Sequence, residues 1–579
     1  MPARIHSTRW GSYGLLGLLL ILVAAPLTSV LATAVFGYRD EPAALHTLLS
    51  PDMLSVIGNT VWLSTLVVVF ATLLAAPLAF LMSWSPMQRH GWIDVAVMIP
   101  FMTPPFASSM AWMDFTRIGG VATMMFGETA GQFAHDFIHS VWGMALIMAC
   151  EQFTFLYLIL RTALSALPAS TLEMGAVVGA RRHQVFRRIM APMLIGPYSL
   201  GVLIVFIRSA GEFGTPVTLG NAIGYEVLVS SIHQDVTVSP LNFSQAAATS
   251  SVLFTIGVIV WGLQQWLGRK DLTAGGRVAR RYSVTFNPLG QLAAWLTIGA
   301  IFLVTIVIPY FSIIIGSMTV LRSQPPTLDN LTLDYFGIVL GRASAQEALL
   351  NSASLGLVAA TITAVLGLLI TLVTFRKHRL SSRITDFLAV APDTVPSIVM
   401  AVGFILLWNA PWLPVTPYGT AWILILGYVC LFLPLVVQNI KTSAGTIAPT
   451  LLSAGAVAGA SKFTTFLRIQ LPLLAPGIIA GWLLAFLIGF RELVMSSLVR
   501  PADMQLLSPW IMNTFDQGLR AEAMTMTLIG VVSSTLVLVT VTTWQRRRTR
   551  LLSQPPRKVV ERAPGSALAG AMQSPSKAQ

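Results

Sequence analysis

Three kinds of residue in this chain could do chemistry. They are ionisable side chains inside apolar runs, prolines inside the same runs, and a repeated glycine and proline pattern in the basic segments. Arg208 and Glu212 are four apart in the apolar run 196–218, so a helix there puts both on one face. Arg491 and Glu492 occupy the corresponding part of 473–499. Charges in such surroundings are costly and mark either a solute path or an ion pair between helices. All four are read here as path or gate positions, with the structural ion pair as the competing reading. Asp114, Glu151 and Asp393 fall near predicted helix ends, where water would reach them. Pro104 and Pro396 close two Pro-x-x-x-Pro segments, Pro100–Pro104 and Pro392–Pro396. Prolines there free backbone carbonyls, which serve as hinge, path lining or packing kink. No catalytic cluster of acid, His or Ser residues is present, and the histidines and the two cysteines, Cys150 and Cys430, show no metal-site spacing. There is no Gly-x-x-x-x-Gly-Lys-Ser/Thr loop to cradle nucleotide phosphates.

These residues sit in a chain of 579 residues that is 55% hydrophobic and 10% charged, with mean hydropathy +0.74. A soluble domain carries about 25% charged residues, so an ordinary soluble enzyme and a disordered chain are both excluded. Long unbroken apolar runs, about 20 residues per crossing, predict membrane helices and not a β-barrel. Twelve are predicted, near 13–36, 57–84, 93–115, 141–160, 196–218, 248–267, 290–318, 351–375, 386–408, 419–440, 473–499 and 524–545.

The segments between them alternate in charge. One set holds 28 of the 36 Lys and Arg; the other holds 6 of them and 13 of the 23 acids. The net charge of +13 is therefore a topology signal and not a nucleic-acid surface. It places both termini in the cytoplasm of a multi-pass protein of the inner or plasma membrane.

Self-comparison shows a duplication. Asn59-Thr60 matches Asn351-Ser352, Pro100 matches Pro392 and Pro104 matches Pro396, all 292 residues apart. Further on the offset is 280: Cys150 with Cys430, Arg161 with Lys441, Gly179 with Gly459, Pro192 with Pro472 and Glu212 with Glu492. The 12-residue difference is expected in the outer loop Gly119–His139. The predicted layout is a first half over 1–267 (core repeat 57–267), a cytoplasmic linker over 268–289, a second half over 290–545 (core repeat 350–545) and a basic, disordered cytoplasmic tail over 546–579. Both halves start on the same side, so the repeats are parallel.

The longest basic segment of each half has a shared grammar. The first half reads Glu173-Met-Gly175-Ala176-Val-Val-Gly179, nine residues, then Ile189-Met-Ala-Pro192. The second reads Ser453-Ala-Gly455-Ala456-Val-Ala-Gly459, nine residues, then Ile469-Gln-Leu471-Pro472. Small residues allow close helix packing, and the glycine permits a sharp turn between two short helices. The proline is expected to end the second helix before the chain re-enters the membrane.

These paired segments resemble the cytoplasmic loop of permease subunits of binding-protein-dependent ABC importers, whose pattern is Glu-Ala-Ala, three residues, Gly, nine residues, Ile, one residue, Leu-Pro. The second half departs from it at Ser453-Ala454-Gly455; the first keeps Glu173 but has Ala191 for the leucine. The resemblance covers about 57–267 and 350–545. It implies an all-α membrane fold of the type I importer kind, with about 12 helices in two parallel six-helix repeats. It implies that Glu173, Gly175, Ala176, Gly179, Ile189 and Pro192, with Gly455, Ala456, Gly459, Ile469, Leu471 and Pro472, form coupling helices docked on ATPases. Arg181, Arg182, Arg187 and Arg188 either help that docking or serve only as topology charges.

The partners implied are two copies of an ABC ATPase, which carries the Mg-ATP, a separate extracytoplasmic solute-binding protein, and the bilayer. This chain itself is expected to carry no cofactor, no metal and no catalytic residue. The fused architecture, with Gly211-Glu-Phe-Gly-Thr-Pro-Val-Thr-Leu-Gly220 and Arg491-Glu-Leu, looks like ferric-iron permeases. Thiamine, phosphonate such as 2-aminoethylphosphonate, polyamine, sulfate and molybdate remain alternatives. So does a secondary transporter driven by an ion gradient, which shares the parallel two-half topology. A lipid-modifying membrane enzyme is disfavoured by the missing acid, His or Ser cluster.

Overall fold

The computed structural model describes residues 9–167, 179, 182–268, 286–324, 326–375 and 380–553. Glu173, Gly175, Ala176 and Arg181 lie outside them. Among the described residues ten helices are long and apolar enough to cross a membrane: α1 (Ser12–Phe36), α2 (Pro51–Trp84), α3 (Val141–Ala166), α4 (Phe186–Ala210), α5 (Phe243–Leu267), α6 (Pro288–Met318), α7 (Ala343–Thr374), α8 (Ala421–Gly445), α9 (Lys462–Phe490) and α10 (Arg520–Gln545). The described residues contain no β-strand beyond isolated bridges. The helical choice follows from the solvent: in lipid only a structure that pairs its own backbone groups is viable.

Of the about twelve helices expected, ten stand as unbroken spans among the described residues, with an eleventh if a bent pair counts as one crossing. The third of each half is broken at its prolines. Leu380–Thr394 and Ser397–Trp408 meet at 113°. The first-half counterpart is cut into Trp92–Ala96, Ile99–Met102 and Pro105–Phe115. Thr103 (ψ 138°) and Val395 (ψ 125°), each just before a proline, are extended, as the proline ring requires of its neighbour. By contacts the chain divides into two compact units, Met1–Thr535, which holds all that follows, and Leu536–Gln579.

The duplication is visible in the details. Ala71, Ala75 and Ala79 on α2 and Thr363, Gly367 and Thr371 on α7 form matched buried stripes of small residues, spaced by one turn. They let α3 and α8 pack closely; a Cβ on Gly367 would lie 2.9 Å from Val436. Ser140 caps α3 and Thr420 caps α8. The Asn-Thr and Asn-Ser pairs do the same work twice. Asn59 Nδ2 donates to the Glu226 carbonyl and Asn351 Nδ2 to that of Gln505, each at 3.0 Å. Thr60 and Ser352 hydroxyls accept the N–H groups of Leu228 and Leu507, which open the short helices Leu228–Thr237 and Leu507–Asp516. The first-half insertion is a helical hairpin, Val121–Phe126 and Glu128–Ile138.

The first helix of each half lies on the other half. On α1, the Pro26 carbonyl abuts Gly403 so tightly that a Cβ there would stand 2.6 Å away. On α6, the Ser312 hydroxyl donates to the Ala111 carbonyl at 2.8 Å; just beyond its end, Arg322 pairs with the buried Asp114, which Arg117 also approaches. Asp114 is thus in an ion cluster, contrary to its expected solvation. These crossed helices tie the halves together.

Both α1 and α6 contain a π-turn two residues before a proline: Leu20–Ala24 before Pro26 and Leu303–Val307 before Pro309. A proline has no N–H and its ring crowds the carbonyl four residues back; a wider turn relieves both. The same device recurs in α4 and α9.

Replacing Gly403 by Val should force α1 away from its seat. We expect a destabilisation of about 1–3 kcal/mol, the usual cost of overpacking, read as a lower apparent melting temperature of the purified protein. Gly299, which has open space around it, should accept Ala without such loss.

Candidate functional site

A cavity of about 400 Å³ lies between the halves. Its walls are repeat-related: Thr103–Phe106 and Pro392–Ser397 from the broken helices, Gly211–Gly214 and Arg491–Val494 beyond the ends of α4 and α9, and Glu151, Gln152 and Phe155 on α3 opposite Leu431, Phe432 and Leu435 on α8. Of the expected path positions, Pro104, Pro396, Arg208, Glu212, Arg491 and Glu492 all border it. The halves meet tightly beside it: a Cβ on Gly211 would lie 2.8 Å from Pro396, and one on Gly257 2.6 Å from the Thr394 carbonyl.

The helical pairing of Arg208 with Glu212 does not form. The helix stops at Ala210, because the next turn is spent on capping. Glu212 is buried beyond that end, and its carboxylate accepts the N–H groups of Gly214 (2.7 Å) and Thr215 (3.1 Å). Glu492 accepts those of Met495 and Ser496, both at 2.9 Å. Each acid caps the helical segment that restarts after the break, where orphan N–H groups and the helix dipole both favour an anion. Arg208 instead reaches Asp393 of the second half at 3.5 Å and stacks over Phe155, 4.3 Å from its ring centre.

Glu151 was expected near a helix end and is not. It is the eleventh residue of the 26-residue α3, 9% exposed, and its Oε1 has no hydrogen-bond partner. Arg491, from the second half, borders the same cavity. The signal for it in the sequence was an acid ten residues into an apolar run.

The basic loops also take shape. Gly179 and Gly459 have φ of +79° and +78°, the left-handed region that glycine enters freely. In the second half Pro449–Val457 ends in a Schellman motif: Gly459 N–H donates to Ala456 (3.1 Å) and Ala460 N–H to Gly455 (3.0 Å). Ser461 then caps the next helix. A Cβ on Gly455 would meet Ile469 at 3.1 Å, which is why a small residue stands there.

The expected ending at Pro192 and Pro472 is corrected. The helices run on from Phe186 to Ala210 and from Lys462 to Phe490, because π-turns at Phe186–Met190 and Phe466–Gln470 absorb the prolines, with Ala191 and Leu471 N–H groups reaching five residues back. Leu471 and Pro472 thus lie inside α9. Arg187 and Arg188 are exposed, as are Val457 (89%) and Phe463 (70%) around the second turn.

A duplicated ion pair, missed in sequence, joins α3 and α8, near the ends that lead into these loops, to the broken helices. Arg161 grips Asp94 with two nitrogens (3.2 and 3.4 Å), and Tyr157 donates to the same carboxylate. Lys441 pairs with Asp386 at the matching place. The signal was available: Asp94 and Asp386 are 292 apart, Arg161 and Lys441 280 apart.

Residues 75–270 and 356–551 each match the family described as "Binding-protein-dependent transport system inner membrane component". The ferric transport system permease protein FbpB of Actinobacillus pleuropneumoniae is 25% identical over 468 residues, 80% of this chain and 67% of that protein. The putative ferric transport system permease protein FbpB 1 of Haemophilus influenzae is 26% identical, over 81% of this chain and 74% of its own. The spermidine/putrescine transport system permease protein PotC of the same organism is 28% identical over 33% of this chain and 74% of its own.

Removing either capping acid should weaken the break it closes. Glu212→Ala and Glu492→Ala should each cost about 0.5–2 kcal/mol of stability, measured by thermal unfolding, while Gln, which keeps an acceptor oxygen, should recover part of it. If both Gln variants transport at the wild-type rate, these acids act as caps and not as path residues.

Proposed function

The chain belongs to the family of inner membrane components of binding-protein-dependent transport systems, and we propose that it supplies both membrane halves of an ATP-driven importer of ferric iron. Solute arrives from a separate binding protein on the outer side, crosses through the cavity between the halves, and leaves toward the cytoplasm. Two copies of an ABC ATPase bind below, one at each glycine-turn loop. The basic loops and both termini face the cytoplasm, as their Lys and Arg excess favours.

The observation that carries this reading is the pair of left-handed glycines, Gly179 and Gly459, at equivalent places in a duplicated membrane chain. In the second half the turn presents Val457 and Phe463 outward, apolar side chains suited to a protein partner's groove. ATPase closure would push the two loops together. The ion pairs Arg161–Asp94 and Lys441–Asp386 would carry that motion to the broken helices bearing Pro104 and Pro396, at the cavity wall. The chain does no covalent chemistry; ATP and Mg are bound by the partner.

Ferric iron is favoured because two permeases described as ferric match about four-fifths of this chain. Uptake of iron-55 by vesicles holding the chain, its ATPase and its binding protein tests the whole reading. Uptake should require ATP. Valine at Gly179 or Gly459, forced into a conformation costing about 1–2 kcal/mol per residue, should lower it at least tenfold, and the double variant should abolish it, with the chain still in the membrane. Uptake that survives ATP depletion and collapses with the ion gradient would contradict the importer reading. ATP-dependent uptake of an oxyanion, phosphonate, thiamine or polyamine in place of iron would contradict the substrate alone.

A further inference from the structure

The cavity is built by a repeat, but its charges do not follow the repeat. Glu151 stands where the second half has Leu431, and Arg491 where the first half has Gly211. The fold accepts an apolar residue or a glycine at these places, so neither charge is needed to build it. A carboxylate 91% removed from solvent, with an oxygen lacking any hydrogen-bond partner, is expensive to keep. It borders an open volume of about 400 Å³, room for an ion with several of its own ligands. Arg491, from the opposite half, borders the same volume and brings a positive charge to it.

We propose that Glu151 is the cation-binding residue of the cavity, and that Arg491 is a tethered counter-charge which the travelling cation displaces. This rests on the importer reading and deepens it toward a hard multivalent cation, whose preferred ligands are carboxylate, carbonyl and hydroxyl oxygens. When the cavity is empty, the guanidinium, always protonated, neutralises the carboxylate. When a cation enters, it takes Glu151, and the repulsion of Arg491 keeps its stay short. Conduction needs this balance: attraction enough to enter, weakness enough to leave. Among the described residues no group of three or more His, Cys, Asp or Glu is placed to hold a metal. Glu151 with the ion's own ligands, rather than a cluster of protein ligands, makes a site of passage and not of storage.

Removing the counter-charge should therefore trap the cation. The full chain with its ATPase partner, in lipid nanodiscs, is equilibrated with ferric citrate, passed through gel filtration, and its iron measured by mass spectrometry. Arg491→Met should retain at least tenfold more iron than wild type, and adding Glu151→Gln should return it to background. Glu151→Gln alone should lower iron uptake at least tenfold, and Glu151→Asp should restore most of it, which separates loss of the carboxylate from loss of folding. The proposal is overturned if Arg491→Met holds no more iron than wild type, or if Glu151→Gln takes up iron within twofold of wild type. Normal iron uptake through Glu151→Gln would remove the cation site and leave the ferric reading intact. ATP-dependent uptake by wild type of an anionic or neutral solute in place of iron would remove both.

Discussion

A buried helix end must find partners for its free N–H and C=O groups. The rest of this structure depends on how that requirement is met around the cavity. A path between two helical halves needs backbone that bends, and bending exposes unpaired groups. Here the breaks come in matched sets. Prolines open the third helix of each half, at Pro104 and Pro396, and so remove a donor at the break. Glutamates close the breaks after α4 and α9, where Glu212 and Glu492 accept backbone N–H groups. The irregular backbone gathers at the cavity between the halves, lined by all four breaks.

The same economy explains the π-turns. Four prolines, Pro26, Pro192, Pro309 and Pro472, sit in helices that continue past them. A proline was expected to stop the helix at Pro192 and Pro472, and a one-residue widening of the turn makes the stop unnecessary. Periodicity and proline rules cannot distinguish these outcomes, because the choice depends on whether the apolar face beyond the proline has something to pack against. By contrast, the duplication itself was legible. Asn59-Thr60 and Asn351-Ser352 turned out to have one structural job in both halves, and Gly179 and Gly459 one backbone conformation. Glycine at a φ near +80° is a constraint on residue type, so it shows in sequence. The partner of Arg208 does not, since Asp393 lies on the opposite half and only the packing of the halves brings the two together.

Two layers of organisation result. A symmetric scaffold supplies helices, caps, breaks, glycine turns and ion pairs in duplicate. Asymmetric charges are then set on it: Glu151 and Arg208 from the first half, Asp393 and Arg491 from the second, with Leu431, Ile488, Phe101 and Gly211 at the repeat-related places. A mechanism that rocks two halves against each other uses the first layer, and a preference for one solute uses the second. Because the two halves have different sequences, their cavity faces can differ.

The central claim is that the two loops move together when ATP binds and that the cavity follows. It is tested most directly by spin labels at Arg187, exposed at the start of α4, and Leu451, exposed on the second loop, with the distance read by pulsed electron resonance in the complex with its ATPase. Both native cysteines are buried, which favours labelling of the introduced ones. The account predicts that ATP shortens the distance and that hydrolysis restores it. A distribution unchanged by ATP, in a complex that still transports, would contradict it.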